Sequence, residues 1–432
     1  MISRKIKFNI TSLLFILIAG LFFTVIILKP SWQIGGDGFG YYSYIRSFLF
    51  DGDFVLQNEF ALFDSLYEHT TLQGWQTPVG QIGNPFAIGA AILWSPFVIV
   101  AKALTSIWQF NDQYSLAGFN PPFQIAIVLG TWFYFLSGIV LIFKTLNKLI
   151  NKKYTWLGIL AAITLSPAPF YLIYEPSMAH GLTVFTTAWL FYLSINIHKS
   201  SDFKLKDFIL LGLSLGLMFL VRWQDILFAI VPATIIFYKV YKQKKVEIKL
   251  IITALLFFII SIIPQLLMWR HLFGSWLTVP QGASFFQLSN PHIFDFLFSS
   301  YHGMLVIHPL LLFIVLGLFF AYKKEKFLTI ILITSLLLQV YMNSALYDWF
   351  GGGSFGARRM LSSLFIFIFA WAFLFDGIKK KLIWIIMIIL VFTGIIFNGL
   401  LMMSYAKGVI PLNEYISYNE VYKAPIKILL SL

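Results

Sequence analysis

Apolar stretches of about 18 to 22 residues recur along this chain, and each suits a helix crossing the roughly 30 Å hydrocarbon core of a bilayer. Short polar or lysine-rich breaks separate them. A backbone inside hydrocarbon has no water to bond to, so repeated stretches of this kind leave a helical bundle as the available fold. Composition agrees: 59% of the 432 residues are hydrophobic and 11% charged, with a mean hydropathy of +0.83. A water-soluble domain carries about a quarter of its residues as charges. The expected class is therefore an all-α, polytopic membrane bundle. Without a cysteine, the chain has no disulfide, thiolate metal site or cysteine nucleophile.

The formal charge of +13 is explained by where the charges sit. Clusters at Arg4 to Lys7, Lys144 to Lys153, Lys199 to Lys206, Lys239 to Lys249, Lys323 to Lys326 and Lys379 to Lys381 hold 21 of the 31 basic residues. They read as cytoplasmic loops under the positive-inside rule. Of the 18 acids, 13 fall in the intervening, external segments. The basicity is thus topological, and nucleic acid is excluded as a partner.

Alternating sides in this way gives about eleven spans, at 10–28, 123–143, 156–174, 181–197, 208–221, 226–238, 250–269, 304–321, 327–345, 360–375 and 382–403. The first follows Arg4, Lys5 and Lys7, is long for a secretory signal and lacks a small-x-small cleavage pattern, so it reads as a retained anchor. One transmembrane domain, 1–403, is expected, with a short external tail at 404–432. The first external loop, 29–122, is the longest. Within it the apolar stretch 86–104 fits poorly, because a crossing there would invert every later loop. It is expected to be an interfacial or re-entrant helix started by Pro85 and broken at Pro96. A true span that locally violates the charge rule is the competing reading.

Polar groups that a bilayer makes expensive mark function in such chains. The first loop opens with Gly35-Gly36-Asp37-Gly38-Phe39-Gly40-Tyr41-Tyr42, glycines that let a ligand come close to one carboxylate, and Arg46 follows. Asp37 competes with an ordinary role as a turn or helix-capping residue. Glu175 stands in Tyr174-Glu175-Pro176 before His180, where helix capping is again the competing role. Arg358 and Arg359 follow a glycine-rich external loop, Trp349 to Gly356, whose N–H groups suit a phosphate, with Asp348 placed to steady one arginine. Their competing role is contact with lipid headgroups. Arg222 in Val221-Arg222-Trp223-Gln224-Asp225 has Asp225 as its expected ion-pair partner. His302 and His308 lack the spacing of a helical metal pair and read as polar cleft contacts.

An acid just past the first span followed by Tyr41, then Gly52-Asp53, then the helix start Asn84-Pro85-Phe86 resembles the GT-C superfamily of membrane glycosyltransferases, and protein O-mannosyltransferases and lipid A aminoarabinose transferases in particular. The likeness covers the order and topology of roughly the first 230 residues, and its motifs are short. It implies juxtamembrane helices in the first loop, a polyprenyl-phosphate sugar donor without a nucleotide, and inverting transfer at the extracytoplasmic face of the inner membrane. Asp37 matches the family's base, and Glu175 matches its second acid, between the third and fourth helices. Arg358, Arg359 and Arg222 are then the candidates for binding the donor phosphate. Tyr41, Tyr42, Arg46, His180, Gln224, Asp225, His302, His308 and Asp348 are candidates for the cleft.

Magnesium or manganese on Asp37 and Glu175 stays open at this stage, as does the acceptor: lipid, polysaccharide or protein. A flippase or other lipid-linked glycan transporter would place charges at mid-membrane in related halves. A glycan polymerase or ligase would carry its large loop late in the chain. Neither pattern occurs in this sequence.

The side assignment has a direct check. A reporter active only outside the cytoplasm should be active after Gly83, Ser115 or Ala406 and silent after Lys153, Lys245 or Lys380. Activity after Lys153 overturns the topology, whereas silence after Ser115 alone makes 86–104 a crossing.

Overall fold

The computed structural model describes residues 31–66, 75–107, 118–243 and 247–431. The first expected span, 10–28, lies outside the described residues. Within them the chain is a bundle of helices. Seven are long and apolar enough to cross a membrane: Gly89–Ile107, Pro121–Leu146, Trp223–Lys242, Ile248–Phe273, Lys326–Ser344, Arg358–Gly377 and Lys381–Ala406.

The first loop supplies short helices: α1 (Gly38–Arg46), ending in a wider turn at Ser47–Asp51, and α2 (Gln57–Leu66). Next comes α3 (Gly89–Ile107), which covers the stretch that sequence reading expected to break at Pro96. It runs unbroken through that proline. Pro96 leaves the Ile92 carbonyl without its usual backbone donor, and the helix nevertheless runs on to Ile107. Its length and apolarity now suit a crossing as well as an interfacial helix.

Two expected spans are broken. The stretch 156–174 divides into α5 (Lys152–Thr164) and α6 (Ala168–Ile173), after α4 (Pro121–Leu146). Pro167 has no N–H and disfavours helical geometry before it. The amide of Asn398 caps the carbonyls freed at the break, reaching Thr164 at 2.8 Å and Ser166 at 3.2 Å. Such side-chain rescue is what tolerates irregular backbone inside a bundle. After α7 (His180–Lys199), α8 (Leu205–Val221), α9 (Ile230–Gln243), α10 (Ile248–Phe273) and the short α11 (Ile293–Phe298), the stretch 304–321 breaks at His308-Pro309 into α12 (Met304–Ile307) and α13 (Phe313–Lys324).

The centre of the bundle is α15 (Leu364–Gly377), which follows α14 (Lys326–Ser344) and is buried on every side from Leu364 to Phe375. A helix apolar all round belongs inside other helices. Neighbours approach it through glycine: a Cβ on Gly158 of α5 would sit 2.7 Å from the Ile368 carbonyl oxygen, and one on Gly317 of α13 would sit 2.1 Å from that of Ala370. Small residues at crossings are how membrane helices gain van der Waals contact. By contrast α10 exposes Ile252, Leu255, Ile259, Ile263 and Leu267, the face expected of a helix against lipid. After α16 (Lys381–Ala406) the tail is not a simple extension: it turns and forms α17 (Tyr418–Ser431), which buries Val421, Ala424 and Ile428.

The α3–α8 crossing is the most demanding glycine contact near the site. A Cβ on Gly89 would lie 2.2 Å from the backbone carbon of Leu220, two residues before Arg222. Backbone cannot yield as a side chain can, so Gly89→Ala is expected to cost about 1 to 3 kcal/mol and to lower thermal stability in detergent. Gly399→Ala, at a position with nothing within 4 Å, should leave it unchanged.

Candidate functional site

Asp37 occupies the N-cap position of α1, yet its side chain makes no capping hydrogen bond. It points instead across the site to Arg358, with Oδ2 at 3.0 Å from Nη2. The turn before it is formed by Gly38 N–H bonding the Gly35 carbonyl at 2.9 Å, with Gly36 at φ +50°. This turn is docked on the loop that carries Glu175. Gly35 N–H bonds the Ser177 hydroxyl at 3.1 Å, and a Cβ on Gly38 would strike that hydroxyl at 2.5 Å. The glycines therefore set the position of the carboxylate through close backbone packing.

The arginines arrive from the other end of the chain. A 3₁₀ turn at Arg358–Ser363 continues directly into α15, so both guanidinium groups stand at the end of the helix buried on every side. Arg359 donates to Asp348 twice, to Oδ2 at 2.5 Å and to the carbonyl at 2.8 Å. Asp348 thus steadies an arginine, as its place before the glycine loop led one to expect. Arg358 is 8% exposed, contacts the Met178 sulfur at 2.9 Å, and leaves its buried Nε without a partner. Arg222 sits in extended backbone between α8 and the next 3₁₀ turn. It forms no ion pair with Asp225; its Nη1 lies 2.9 Å from His180 Nδ1.

These groups border two cavities. An inner one of about 210 Å³ is lined by Asp37, Tyr41, His180, Gln224 and all three arginines, 222, 358 and 359, under Phe86 and Phe285. An outer one of about 670 Å³ is lined by Glu175, the glycines 351–353, Leu412 and Asn413. Asp37, Asp348 and Arg358 border both. The wall between the cavities is therefore made largely of ionised side chains.

Several candidate residues lie elsewhere. Tyr42 is fully buried, and its hydroxyl bonds the Gly118 carbonyl. Arg46 is tied to Asp51 at 2.5 Å and Glu59 at 2.7 Å and holds the first loop together. Asp225 is buried below the cavity floor, with Oδ2 unpartnered. His308 packs against Phe355 and beside Gly356, where a Cβ would meet it at 2.6 Å. His302 bonds the Leu412 carbonyl at 2.9 Å. The glycine loop also differs from expectation: its residues face the outer cavity, and three arginines rather than a backbone cradle line the inner one. Sequence reading missed Ser177 and Met178, which could have been found by following Glu175-Pro176, and Asn413, for which there was no signal.

Burial pushes the Glu175 carboxyl up to about 7, an effect that Arg358 partly offsets and Asp37 reinforces. Burial pushes Tyr41 up to about 12, so it remains a neutral phenol. A guanidinium already occupies the Asp37 carboxylate, and no group of three or more His, Asp or Glu among the described residues could share a metal. Comparison with family models, curated proteins and solved structures finds no match for this chain. The fold and site together define a helical membrane bundle with a buried, arginine-lined cavity at the ends of its helices.

Glu175 gives the site a pH signature. Its carboxyl titrates near 7 in the folded protein against 4.5 as an isolated group. The unfolded chain therefore ionises first, and folded-state stability is lost as pH rises from about 4.5 to 7, by on the order of 3 kcal/mol. Glu175→Gln should remove this loss, raising the detergent melting temperature relative to wild type at pH 8 by several times more than at pH 5. Equal shifts at both values would contradict it.

Proposed function

We propose that this protein is a membrane glycosyltransferase of GT-C type, with about eleven spans and an active site at the extracytoplasmic face of a cytoplasmic membrane. It moves a sugar from a polyprenyl-phosphate donor to an acceptor hydroxyl or amine. The observation that carries the reading is the convergence of Arg222, Arg358 and Arg359 on one buried cavity whose wall includes Asp37. Three guanidinium groups hold more positive charge than the neighbouring carboxylates balance, which suits a bound phosphate, and Arg binds phosphate oxygens bidentately. An apolar groove of about 480 Å³ between α8, α9 and α10 begins at Ile226, two residues after Gln224, and gives a prenyl chain a place beside that phosphate.

Displacement with inversion needs nucleophile and leaving group on opposite faces of the anomeric carbon. The two cavities offer two such sides, meeting at Asp37. The acceptor enters from the outer cavity and gives its proton to an Asp37 carboxylate oxygen while its oxygen or nitrogen bonds to the anomeric carbon. The bond from that carbon to the phosphate oxygen breaks, and the electron pair leaves on the polyprenyl phosphate, stabilised by the three arginines. The phosphate competes with Asp37 for Arg358, so donor binding itself frees the base.

Transfer is measured with purified protein and a synthetic polyprenyl-phosphate sugar, scored by mass spectrometry. Asp37→Asn should reduce it at least about a hundredfold with membrane insertion and donor binding near normal. Arg358→Lys or Arg359→Lys should weaken donor use far more than Arg46→Lys, because ammonium cannot replace a bidentate fork. If Asp37→Asn keeps more than about a tenth of the activity while Glu175→Gln loses it, Glu175 is the base. If neither matters in an active protein, the mechanism is wrong.

A further inference from the structure

The segment 407–417 between α16 and α17 contributes Leu412 and Asn413 to the lining of the outer cavity, and it is fixed at several points. Val409 and Ile410 N–H groups bond the Ser404 carbonyl at 2.9 and 3.1 Å, and the Ile410 side chain is 2% exposed. The Leu412 carbonyl accepts from His302 Nε2 at 2.9 Å. Burial lowers His302 to about 4, so at neutral pH its ring is uncharged, and the proton on Nε2 serves this bond. His302 holds φ +63°, a conformation unusual for a side-chain-bearing residue. The rings of Tyr301 and Tyr415 lie 4.5 Å apart, and Tyr418 bonds the Phe298 carbonyl at 2.9 Å beyond the segment. Ile410, Val421 and Ala424 belong to the same apolar cluster as Met178 and Phe355, which flank Arg358 and the glycine loop.

This anchoring places Leu412 and Asn413 in the wall of the same cavity as Glu175. Asn413 approaches the glycine loop so closely that a Cβ on Gly353 would lie 2.9 Å from its Oδ1. Its amide is exposed, and Glu175 is half-buried in the same lining. Amide and carboxyl thus border one cavity, each able to bond a hydroxyl. The remaining charges of that cavity are Asp37, Asp348 and a single guanidinium, Arg358, already paired with Asp37. Asp348 is itself paired with Arg359, so the charges bordering this cavity are balanced and, among the described residues, no free cation is left to attract an anionic acceptor, which favours a neutral one.

The geometry points to 407–417 as an acceptor-selecting strap, in which Asn413, with Glu175 in the same cavity wall, binds the hydroxyls of a neutral saccharide acceptor. This rests on the glycosyltransferase reading for the identity of the outer cavity and deepens it by naming the acceptor class. Asn413 touches the acceptor and His302 positions the strap; neither takes part in bond making.

The test is photolabelling of full-length protein in detergent with a neutral methyl glycoside bearing a diazirine, with labelled peptides mapped by mass spectrometry. Label is expected on peptides containing Asn413 or Gly351 to Gly353, displaced by unlabelled neutral glycoside and not by an equal concentration of sugar phosphate. Asn413→Ala should reduce it by about three- to tenfold, the value of one hydrogen bond, while the isosteric Asn413→Asp retains more of it. Label confined to other segments, undiminished label in Asn413→Ala, or equal displacement by the sugar phosphate overturns the proposal. Donor turnover is read separately. Lost labelling with intact turnover sinks the strap assignment alone, whereas a labelled strap in a protein with no donor turnover sinks glycosyl transfer and leaves a saccharide site.

Discussion

The ion pair between Asp37 and Arg358 joins the first described loop of the chain to the last glycine-rich one, and the rest of the site is arranged around it. Neither partner is positioned by its own segment alone. Asp37 is placed by a glycine turn docked on Ser177, and Arg358 is placed by the end of a helix buried on all sides. Removing a charge from water costs several kcal/mol, and an ion pair in such surroundings recovers that cost only when its geometry is good. The pair is therefore poor evidence of stabilisation. Its better explanation is that it holds two opposed charges, in the absence of ligand, at the boundary of two cavities.

That boundary depends on packing some distance away. Both arginines ride on the 3₁₀ turn that leads into α15, and α15 is fixed because Gly158 and Gly317 let neighbouring backbones come into contact with it. Arg222 is fixed comparably, since Gly89 brings α3 against the end of α8 just before it. Three guanidinium groups that would repel one another in a soft scaffold are thus held by rigid backbone. His180 receives Arg222, and Asp348 receives Arg359. Each cation has a partner on one side and the cavity on the other.

How far the sequence revealed this architecture depends on the physics of each feature. Membrane embedding and helical class were legible because a bilayer imposes length and apolarity on every spanning segment. The breaks at Pro167 and His308-Pro309 were invisible to a hydropathy pattern, which records apolarity and not backbone geometry; Pro96 shows the opposite case, a proline that the helix runs through without a break. Asp37, Arg358, Arg359, Arg222, His180, Tyr41, Gln224 and Asp348 were singled out as costly polar groups, and the fold brings all of them to one cavity. Arg46 and Asp225 were singled out by the same logic and lie elsewhere. Local sequence does not say whether a charge faces a cavity or a buried partner such as Glu59. Asn413 carried no signal at all, because its place beside Gly353 is created by a tail that turns back on the bundle.

The same tail bears on how two substrates could be kept apart. On the proposed reading, the donor phosphate belongs with the arginines of the inner cavity and the acceptor with Glu175 and Asn413 in the outer one. Without donor, the guanidinium of Arg358 engages Asp37, so an acceptor or water molecule reaching the outer cavity meets an occupied carboxylate. A phosphate that draws Arg358 toward itself exposes the base only when there is a sugar to transfer. An ion pair that contributes little to folding then acquires a purpose in ordering the reaction. This ordering needs only one short side-chain displacement, because Asp37 and Arg358 already border both cavities.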